Sequence, residues 1–350
     1  MAPMTDEGGA VTLADIAARA GTTVPTVSKV LNGRSDVSAE MRDRVLRILA
    51  ETGYRRTRRR GSAAPPDLHL VDLVISGVEG SWANLVLSGV ERAASGAGLD
   101  VVVMLARDVG PRSWLERLLA RPSRGAVLAL VSPTAGELAA LRAAGIPIVL
   151  LDPVAAPAAD VPSVGASNWA GGHAAGRHLL ELGHRSFAVV AGPPGHLYSQ
   201  ARLDGFRSAL AADGASLDAS RVVHAGGGAD DVAIGCLLDA ADPPTAVFAC
   251  TDPLALAVYR AAAERGIRIG RELSVVGFDD LPEAAWTTPA LTTVRQPVAD
   301  MGAAALRMLL RLRDDPETTA PREELATELV VRESAAAPLD VHAEGDLLPR

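Results

Sequence analysis

Short apolar runs alternate with helical segments through most of the sequence, and this alternation constrains the fold more than any other feature. The runs have the length of strands buried on both faces of a parallel sheet, and they lie at 70–75, 101–105, 126–131, 146–151, 187–191, 222–224, 246–250 and 273–278. Helical periodicity separates the later runs, near 170–182, 197–212, 229–240 and 252–265. The number of units would also suit a barrel, but a break near Pro153–Pro162 divides them into two series. We therefore predict two doubly wound α/β sheets.

Composition excludes several classes of protein. With 350 residues, 48 % of them apolar and 22 % charged, the chain can form more than one folded unit with a core. No stretch reaches the roughly 18 apolar residues of a membrane span, and the N-terminus lacks a signal-peptide pattern. Cys236 and Cys250 are too few for a disulfide framework or a four-cysteine zinc site. We expect a soluble cytoplasmic protein without a metal or cofactor.

Charge is distributed unevenly along the chain. The first sixty residues carry eleven Lys and Arg against seven Asp and Glu, whereas the whole chain has a net charge of −8. A basic segment on an acidic body indicates that the segment meets a polyanion. Five of the six residues at 55–60 are arginine. Such a run is often only a solvated tail, but its position beside a helical motif favours an arm that contacts DNA phosphates.

The basic segment itself predicts three short helices. Thr12 and Asp15 form a capping pair at the start of the first helix, and Gly21 ends it. Thr23 can cap a second helix with Pro25 in its first turn, and Ser38 begins a third. Two helices joined by a tight glycine turn, with a third that closes a small core, form a helix-turn-helix.

A bundle of this size could be purely structural, but the outward face of the second helix favours DNA binding. That face carries Thr26, Ser28 and Lys29, whose hydroxyls and cation suit phosphate oxygens and base edges. The segment TLADIAARAGTTVPTVSKVLNGRSDVSAEMRDRVLRILAETGY also resembles the DNA-binding head of the LacI/GalR family of bacterial regulators. The resemblance implies that residues 24–31 form a recognition helix in the major groove.

Individual DNA contacts follow from that resemblance and from the arginine run. The family's base-reading positions are occupied by Val24, Pro25 and Lys29. The expected phosphate contacts are Thr12, Thr23, Thr26, Ser28 and Asn32, with Arg55, Arg56 and Arg58 from the run. The chain departs from the family in the hinge, where relatives insert a leucine into the minor groove and this sequence has Ala63. We expect the arginines to replace that wedge electrostatically.

Polar and aromatic residues follow the predicted strands of the body, where ligands bind in open α/β sheets. They include Trp82, Asp152, Thr251 and Asp279. A helix cap or a turn explains any one of them as well, but several at equivalent positions favour a shared cleft. Three of the four tryptophans, Trp82, Trp169 and Trp286, lie in or beside these segments. A tryptophan face beside carboxylates and arginine is a common way to hold a sugar.

The body also resembles the effector domain of the LacI/GalR family. The resemblance lies in SNWAGGHAAGRHLLELGHRSFAVVAGPP, SQARLDGFRSAL, ACTDPLALAVYRAAAERGI, ELSVVGFDDLPEAAW and PALTTVRQP. It implies a two-lobed fold like periplasmic sugar-binding proteins, with three chain crossings between the lobes. Arg202 and Asp279 are then the main effector contacts. The further effector contacts that we expect are Trp82, Asp152, Asn168, Trp169, Thr251 and Gln296.

Together these patterns predict a ligand-controlled transcriptional regulator that acts as a repressor. A helix-turn-helix head (1–54), an arginine-rich hinge (55–67), a two-lobed periplasmic-binding-protein-like α/β domain (68–335) and a tail (336–350) would form a homodimer on double-stranded operator DNA, with a small molecule, a sugar, bound between the lobes. One alternative is an α/β enzyme, but the sequence lacks the G-x-G-x-x-G, P-loop and H-E-x-x-H motifs. The other alternative, an intracellular solute-binding protein, leaves the basic head unexplained.

Overall fold

The computed structural model of the chain describes residues 11–31, 37–52, 54, 69–107, 112–225, 230–315 and 321–339. Three N-terminal helices precede two six-stranded sheets. The chain divides into two compact units: unit 1 comprises residues 1–153, 157–164 and 302–322, and unit 2 comprises 154–156, 165–301 and 323–350. Within the described ranges, every helix is too short or too polar to cross a bilayer.

The three predicted helices of the head are confirmed. They are α1 (Leu13–Ala20), α2 (Val24–Leu31) and α3 (Ala39–Thr52). Thr12 and Asp15 form the expected capping box, and Gly21 ends α1 with a left-handed φ of 66°. Ile16, Val27 and Leu49 are buried together, so the apolar stripes of the three helices share one core.

The first sheet has the strand order β11-β5-β4-β3-β1-β2. Its strands are β1 (Leu70–Ile75), β2 (Asp100–Leu105), β3 (Ala126–Ala129), β4 (Ile148–Leu151), β5 (Ser163–Ala166) and β11 (Arg322–Leu325). The helices that follow its strands are α4 (Ser81–Gly96), α5 (Trp114–Leu119) and α6 (Ala135–Ala144). The pairs among β1 to β5 are parallel, as the continuous apolar runs predict.

The second sheet has the order β12-β10-β9-β8-β6-β7. Its strands are β6 (Phe187–Ala191), β7 (Val222–His224), β8 (Ala246–Ala249), β9 (Ser274–Asp279), β10 (Thr292–Arg295) and β12 (Glu328–Val330). The remaining helices are α7 (Asn168–Glu181), α8 (Leu197–Ala212), α9 (Asp230–Leu238), α10 (Asp252–Glu264) and α11 (Val298–Asp314). Only the β10–β12 pair is antiparallel among the pairs described in this sheet. The prediction of two α/β sheets built mainly of parallel strands is therefore confirmed.

Helices α7 and α8 approach each other closely through glycine. A Cβ atom added to Gly205 would lie 2.0 Å from the carbonyl oxygen of Trp169, and one added to Gly172 would lie 2.0 Å from the carbonyl oxygen of Arg202. Only glycine permits this separation, because any larger residue would overlap a backbone atom. The close packing fixes Arg202, on α8, beside the first turn of α7.

Candidate ligand site and DNA-binding face

Five residues of unit 2 converge beyond the carboxyl ends of the second sheet. Asp279 ends β9, Gln296 follows β10 and Cys250 follows β8. Arg202 reaches them from α8, and Asn168 begins α7. We call Asn168, Arg202, Cys250, Asp279 and Gln296 the strand-end cluster. Its position is where open α/β sheets bind their ligands.

Arg202 is the centre of the strand-end cluster, and its side chain is only 1 % exposed. Its Nε donates to Oδ1 of Asn168 at 2.8 Å, and one terminal nitrogen donates to the carbonyl oxygen of Cys250 at 2.6 Å and to Oδ1 of Asp279 at 3.1 Å. The guanidinium carbon lies 3.7 Å from the centre of the Phe278 ring. A buried cation is stable only with such compensation, so the site holds Arg202 in one orientation.

The side chains of Gln296 and Asp279 are hydrogen-bonded to each other in the strand-end cluster. Nε2 of Gln296 donates to Oδ1 of Asp279 at 2.6 Å, and both side chains are buried. Among the described residues, Oε1 of Gln296 is buried and receives no hydrogen bond. A buried acceptor without a donor is costly, so this oxygen favours a ligand that carries a hydroxyl or amine.

The backbone at Asp279 is held in an unusual conformation. The φ angles of Asp279 and Asp280 are 121° and 55°, in the region that favours glycine. Asp280 is fixed by two arginines, because Nε of Arg295 donates to it at 2.7 Å and a terminal nitrogen of Arg332 donates to it at 2.6 Å. Strained non-glycine residues concentrate at functional sites, which supports a binding role for this turn.

Asp252 lies next to the cluster and has a different role from Thr251. The Thr251 hydroxyl caps α10 by accepting from the Leu254 amide at 3.4 Å. The Asp252 carboxyl is buried and accepts from the Thr293 hydroxyl at 2.6 Å and from the Leu281 amide at 2.7 Å. Burial raises the pKa of Asp252 well above its usual range, and the nearby Asp279 charge raises it further. Asp252 thus joins β10 and the turn after β9 to the start of α10.

The other predicted ligand residues are distributed over both units. In unit 2, Trp169 is 48 % exposed and stacks on His173, and Trp286 is 73 % exposed. In unit 1, Trp82 is half-buried on α4, and Asp152 follows β4 as a buried residue with φ 47°. Ligand contact by each of the predicted residues, inside the strand-end cluster and outside it, stays a prediction.

Three contributors to the cluster were not predicted from the sequence. Tyr198 places its ring 5.1 Å from the Arg202 guanidinium, Phe278 forms the closer platform, and Cys250 contributes its carbonyl oxygen. The four-residue spacing of Tyr198 and Arg202 on a helix could have indicated the first contact. Burial raises the pKa of the Cys250 thiol to about 12, so its sulfur stays protonated at neutral pH. Within the described part of the chain, no three His, Cys, Asp or Glu side chains group as metal ligands would.

Helix α2, the predicted recognition helix, keeps its outward face accessible. Val24, Pro25 and Lys29 are exposed, whereas Val27, Val30 and Leu31 anchor α2 in the head core. Ser28 is half-buried, and the hydroxyls of Thr23 and Thr26 lie 3.0 Å apart. Thr12 caps α1 by accepting from the Asp15 amide at 3.3 Å. The predicted DNA contacts Asn32, Arg55, Arg56 and Arg58 lie outside the described residues.

The head and the two sheets define a class of protein: a transcriptional regulator with a helix-turn-helix head and a periplasmic-binding-protein-like ligand domain. Residues 12–57 match the bacterial regulatory proteins of the lacI family, and residues 177–335 match the periplasmic binding protein-like domain. The chain is 36 % identical to the HTH-type transcriptional regulator CelR of Thermobifida fusca, over 92 % of this chain and 98 % of the relative. The chain belongs to the LacI family of bacterial regulators, which confirms the resemblance.

Solved structures agree with this assignment. A CelR–cellobiose complex covers 93 % of this chain and 100 % of its own, with a TM-score of 0.72 and 32 % identity. The lac repressor dimer bound to operator and the anti-inducer ONPF covers 94 % of this chain and 100 % of its own, with a TM-score of 0.68 and 27 % identity. The relatives compared are thus transcriptional regulators.

Proposed function

We propose that this protein is a transcriptional repressor that binds operator DNA through α2 and holds a sugar at the strand-end cluster. The observation that carries the ligand half of the proposal is the buried Oε1 of Gln296, which lacks a donor among the described residues. The other end of the same amide group, Nε2, donates to Asp279. A sugar hydroxyl can donate to this oxygen and accept from a neighbouring group at the same time.

The chemistry of the cluster suits a sugar better than a nucleotide or an amino acid. Arg202 supplies a cation whose charge is already balanced by Asp279, so the site does not require an anionic ligand. The exposed rings of Trp169 and Trp286 belong to the same unit and offer flat faces for the C–H surface of a pyranose. The relative CelR was solved with cellobiose, and this disaccharide is the first candidate ligand.

The DNA half of the proposal assigns base contacts to Val24, Pro25 and Lys29 and backbone contacts to Thr23, Thr26 and Ser28. One short helix makes too few base contacts for a specific site, so we propose a homodimer that reads two half-sites, as the lac repressor dimer is bound to its operator. The proposal places the protein in the cytoplasm and gives it no catalytic activity.

Titration calorimetry of the purified full chain tests the ligand half directly. We expect saturable binding of cellobiose, with maltose and ribose as comparison sugars. Asp279→Ala should weaken binding at least about 100-fold, because it removes an acceptor and leaves the Arg202 charge without its carboxylate partner. Asp204→Ala, on the exposed side of α8, is the matched control and should bind as the wild type does. Equal binding by both variants would exclude the strand-end cluster as the site.

A further inference from the structure

The head packs against the ligand domain within unit 1, through helices α3 and α6. Ala139 and Ala143 of α6 are buried in the same apolar cluster as Val45 and Ile48 of α3. Leu46, on α3, packs against that cluster and also against the core of the first sheet. A Cβ atom added to Gly136 on α6 would lie 3.7 Å from Cβ of Leu46, which is ordinary van der Waals contact. The small residues of α6 thus allow α3 to lie close along it.

An ion pair between α3 and α5 lies beside the apolar contact of α3 with α6 and strengthens it. A terminal nitrogen of Arg42, on α3, lies 2.5 Å from Oε1 of Glu116 at the start of α5. The Glu116 side chain is 8 % exposed, so its charge needs a partner. Its second oxygen accepts from the Ser113 amide at 3.0 Å and caps α5. Glu116 therefore fixes its own helix with one oxygen and contacts the head with the other.

The outward face of α2 stays exposed to solvent in the docked head. Val24, Pro25 and Lys29 are exposed in the structure in which α3 lies on α6. The side of the head that meets α6 is thus different from the side that carries the predicted base contacts. The predicted base contacts are therefore not covered by α6 while α3 lies on it.

We propose that α6, together with Glu116 on α5, is a docking surface for the chain's own head, and that the head binds operator DNA while docked there. The second half of this inference rests on the proposed DNA-binding function. Docking gives the ligand domain a direct contact with the head in addition to the covalent connection. It also lowers the entropic cost of placing the head on DNA, because the head is already oriented.

An engineered disulfide between α3 and α6 tests whether the head docks on α6. Leu46→Cys with Gly136→Cys, in a Cys236→Ser background, places two Cβ atoms at a separation suited to a disulfide. The remaining thiol, Cys250, is buried. We expect near-complete intrachain disulfide formation under mild oxidation of the full chain without DNA. The control pair is Arg44→Cys with Gly136→Cys, because Arg44 is exposed and nearly opposite Leu46 on α3. A yield no greater than that of the control pair would overturn the docking surface.

The same variant tests whether the docked head binds DNA. We expect the oxidised protein to bind a DNA fragment selected by the wild-type chain within about threefold of the reduced protein. A greater loss on oxidation that reduction restores would show that docking excludes DNA, and would overturn the second half of the proposal. If the wild-type chain selects no DNA fragment, the proposed function fails, whereas the disulfide yield still decides whether the head docks.

Charge reversal provides an independent test of the ion pair. In the two-cysteine background, Arg42→Glu places a carboxylate against the buried Glu116, and we expect the rate of disulfide formation to fall at least about fivefold. Arg44→Glu is the matched control, because it makes the same change of charge on the exposed face of α3. Equal rates for the two variants would remove the Arg42–Glu116 pair from the docking surface.

Discussion

Arg202 and Asp279 form an ion pair of 3.1 Å in which both side chains are almost completely buried. A salt bridge of this kind adds little net stability, because desolvation of the two charges offsets their attraction. It does fix the position of two polar groups beyond the carboxyl ends of the second sheet. We therefore interpret the pair as part of a preorganised binding site rather than as a source of stability.

Arg202→Lys tests whether the shape of the guanidinium is needed. Lysine keeps the charge but cannot donate to Asn168, Asp279 and the Cys250 carbonyl together from a planar fork. We expect sugar affinity to fall about 10-fold to 100-fold in titration calorimetry while the protein stays folded. Arg207→Lys, on the same helix and exposed, should have no effect. Unchanged affinity in Arg202→Lys would contradict this role.

Asp252→Asn should not destabilise the protein at pH 7.5 and should raise its melting temperature. The folded pKa of Asp252 is above its unfolded value, so the folded state binds the extra proton and loses stability as pH rises through that interval. Asparagine removes this loss and can still accept from the Leu281 amide. The gain, measured by thermal denaturation, should shrink toward pH 4.

Asp218→Asn is the control for that experiment, because the pKa of Asp218 is shifted downward whereas that of Asp252 is shifted upward. The Ser220 hydroxyl and amide donate to the Asp218 carboxylate and lower its pKa. Asparagine at this exposed cap should give no gain in melting temperature at pH 7.5. A melting temperature that falls in Asp252→Asn at pH 7.5 would show that the folded protein needs the charged carboxylate.

His184 predicts a loss of stability on acidification. Its buried ring contacts the Thr245 and Ser274 hydroxyls and the Ala336 carbonyl oxygen, each at 2.9 Å. Burial lowers its pKa, so the unfolded chain binds a proton more readily than the folded protein does. Stability should therefore fall as pH decreases below about 6.5, the unfolded value, until the folded pKa is passed.

Thermal denaturation between pH 7.5 and 5 measures this effect. His184→Gln should have a lower melting temperature at pH 7.5, because a buried network is lost, but a weaker dependence on pH than the wild type. His224→Gln, at an exposed position, should keep the wild-type dependence. An identical pH slope in the wild type and in His184→Gln would contradict the assignment.

Gly205→Ala should disrupt the contact of α7 with α8. The added methyl group would meet the Trp169 carbonyl oxygen at 2.0 Å, so α7, which carries Asn168, and α8, which carries Arg202, would have to move apart. We expect a loss of about 3 kcal/mol in the free energy of unfolding and weaker sugar binding. Gly96→Ala is the control, because nothing lies within 4 Å of its added Cβ atom and alanine favours a helix. Similar stability of the two variants would contradict the close approach.

The elements with strong local patterns could be predicted from the sequence. The strands β1, β6 and β7 begin and end as predicted, because short and mainly apolar runs between turns have one low-energy arrangement in a parallel sheet. The strands β5 and β10 to β12 were not predicted, since each is only three or four residues long and contains at least one polar residue. Their pairing depends on tertiary contacts rather than on a local pattern.

The candidate site was predictable only in part. The resemblance identified Arg202, Asp279, Asn168 and Gln296, which the structure brings together. The buried role of Asp252 was not foreseen, because its partners Thr293 and Leu281 are distant in sequence. Spacing along the chain also gives no sign that Arg42 of the head meets Glu116 on α5.

Fluorescence anisotropy of an operator fragment with and without cellobiose tests whether the ligand site controls DNA binding. The fragment would first be selected from genomic DNA by the full-length protein. We expect cellobiose to change the operator affinity of the wild type by about 5-fold to 150-fold, and to leave that of Asp279→Ala unchanged. An equal change in both proteins, or no preference for any fragment over bulk competitor DNA, would contradict this expectation.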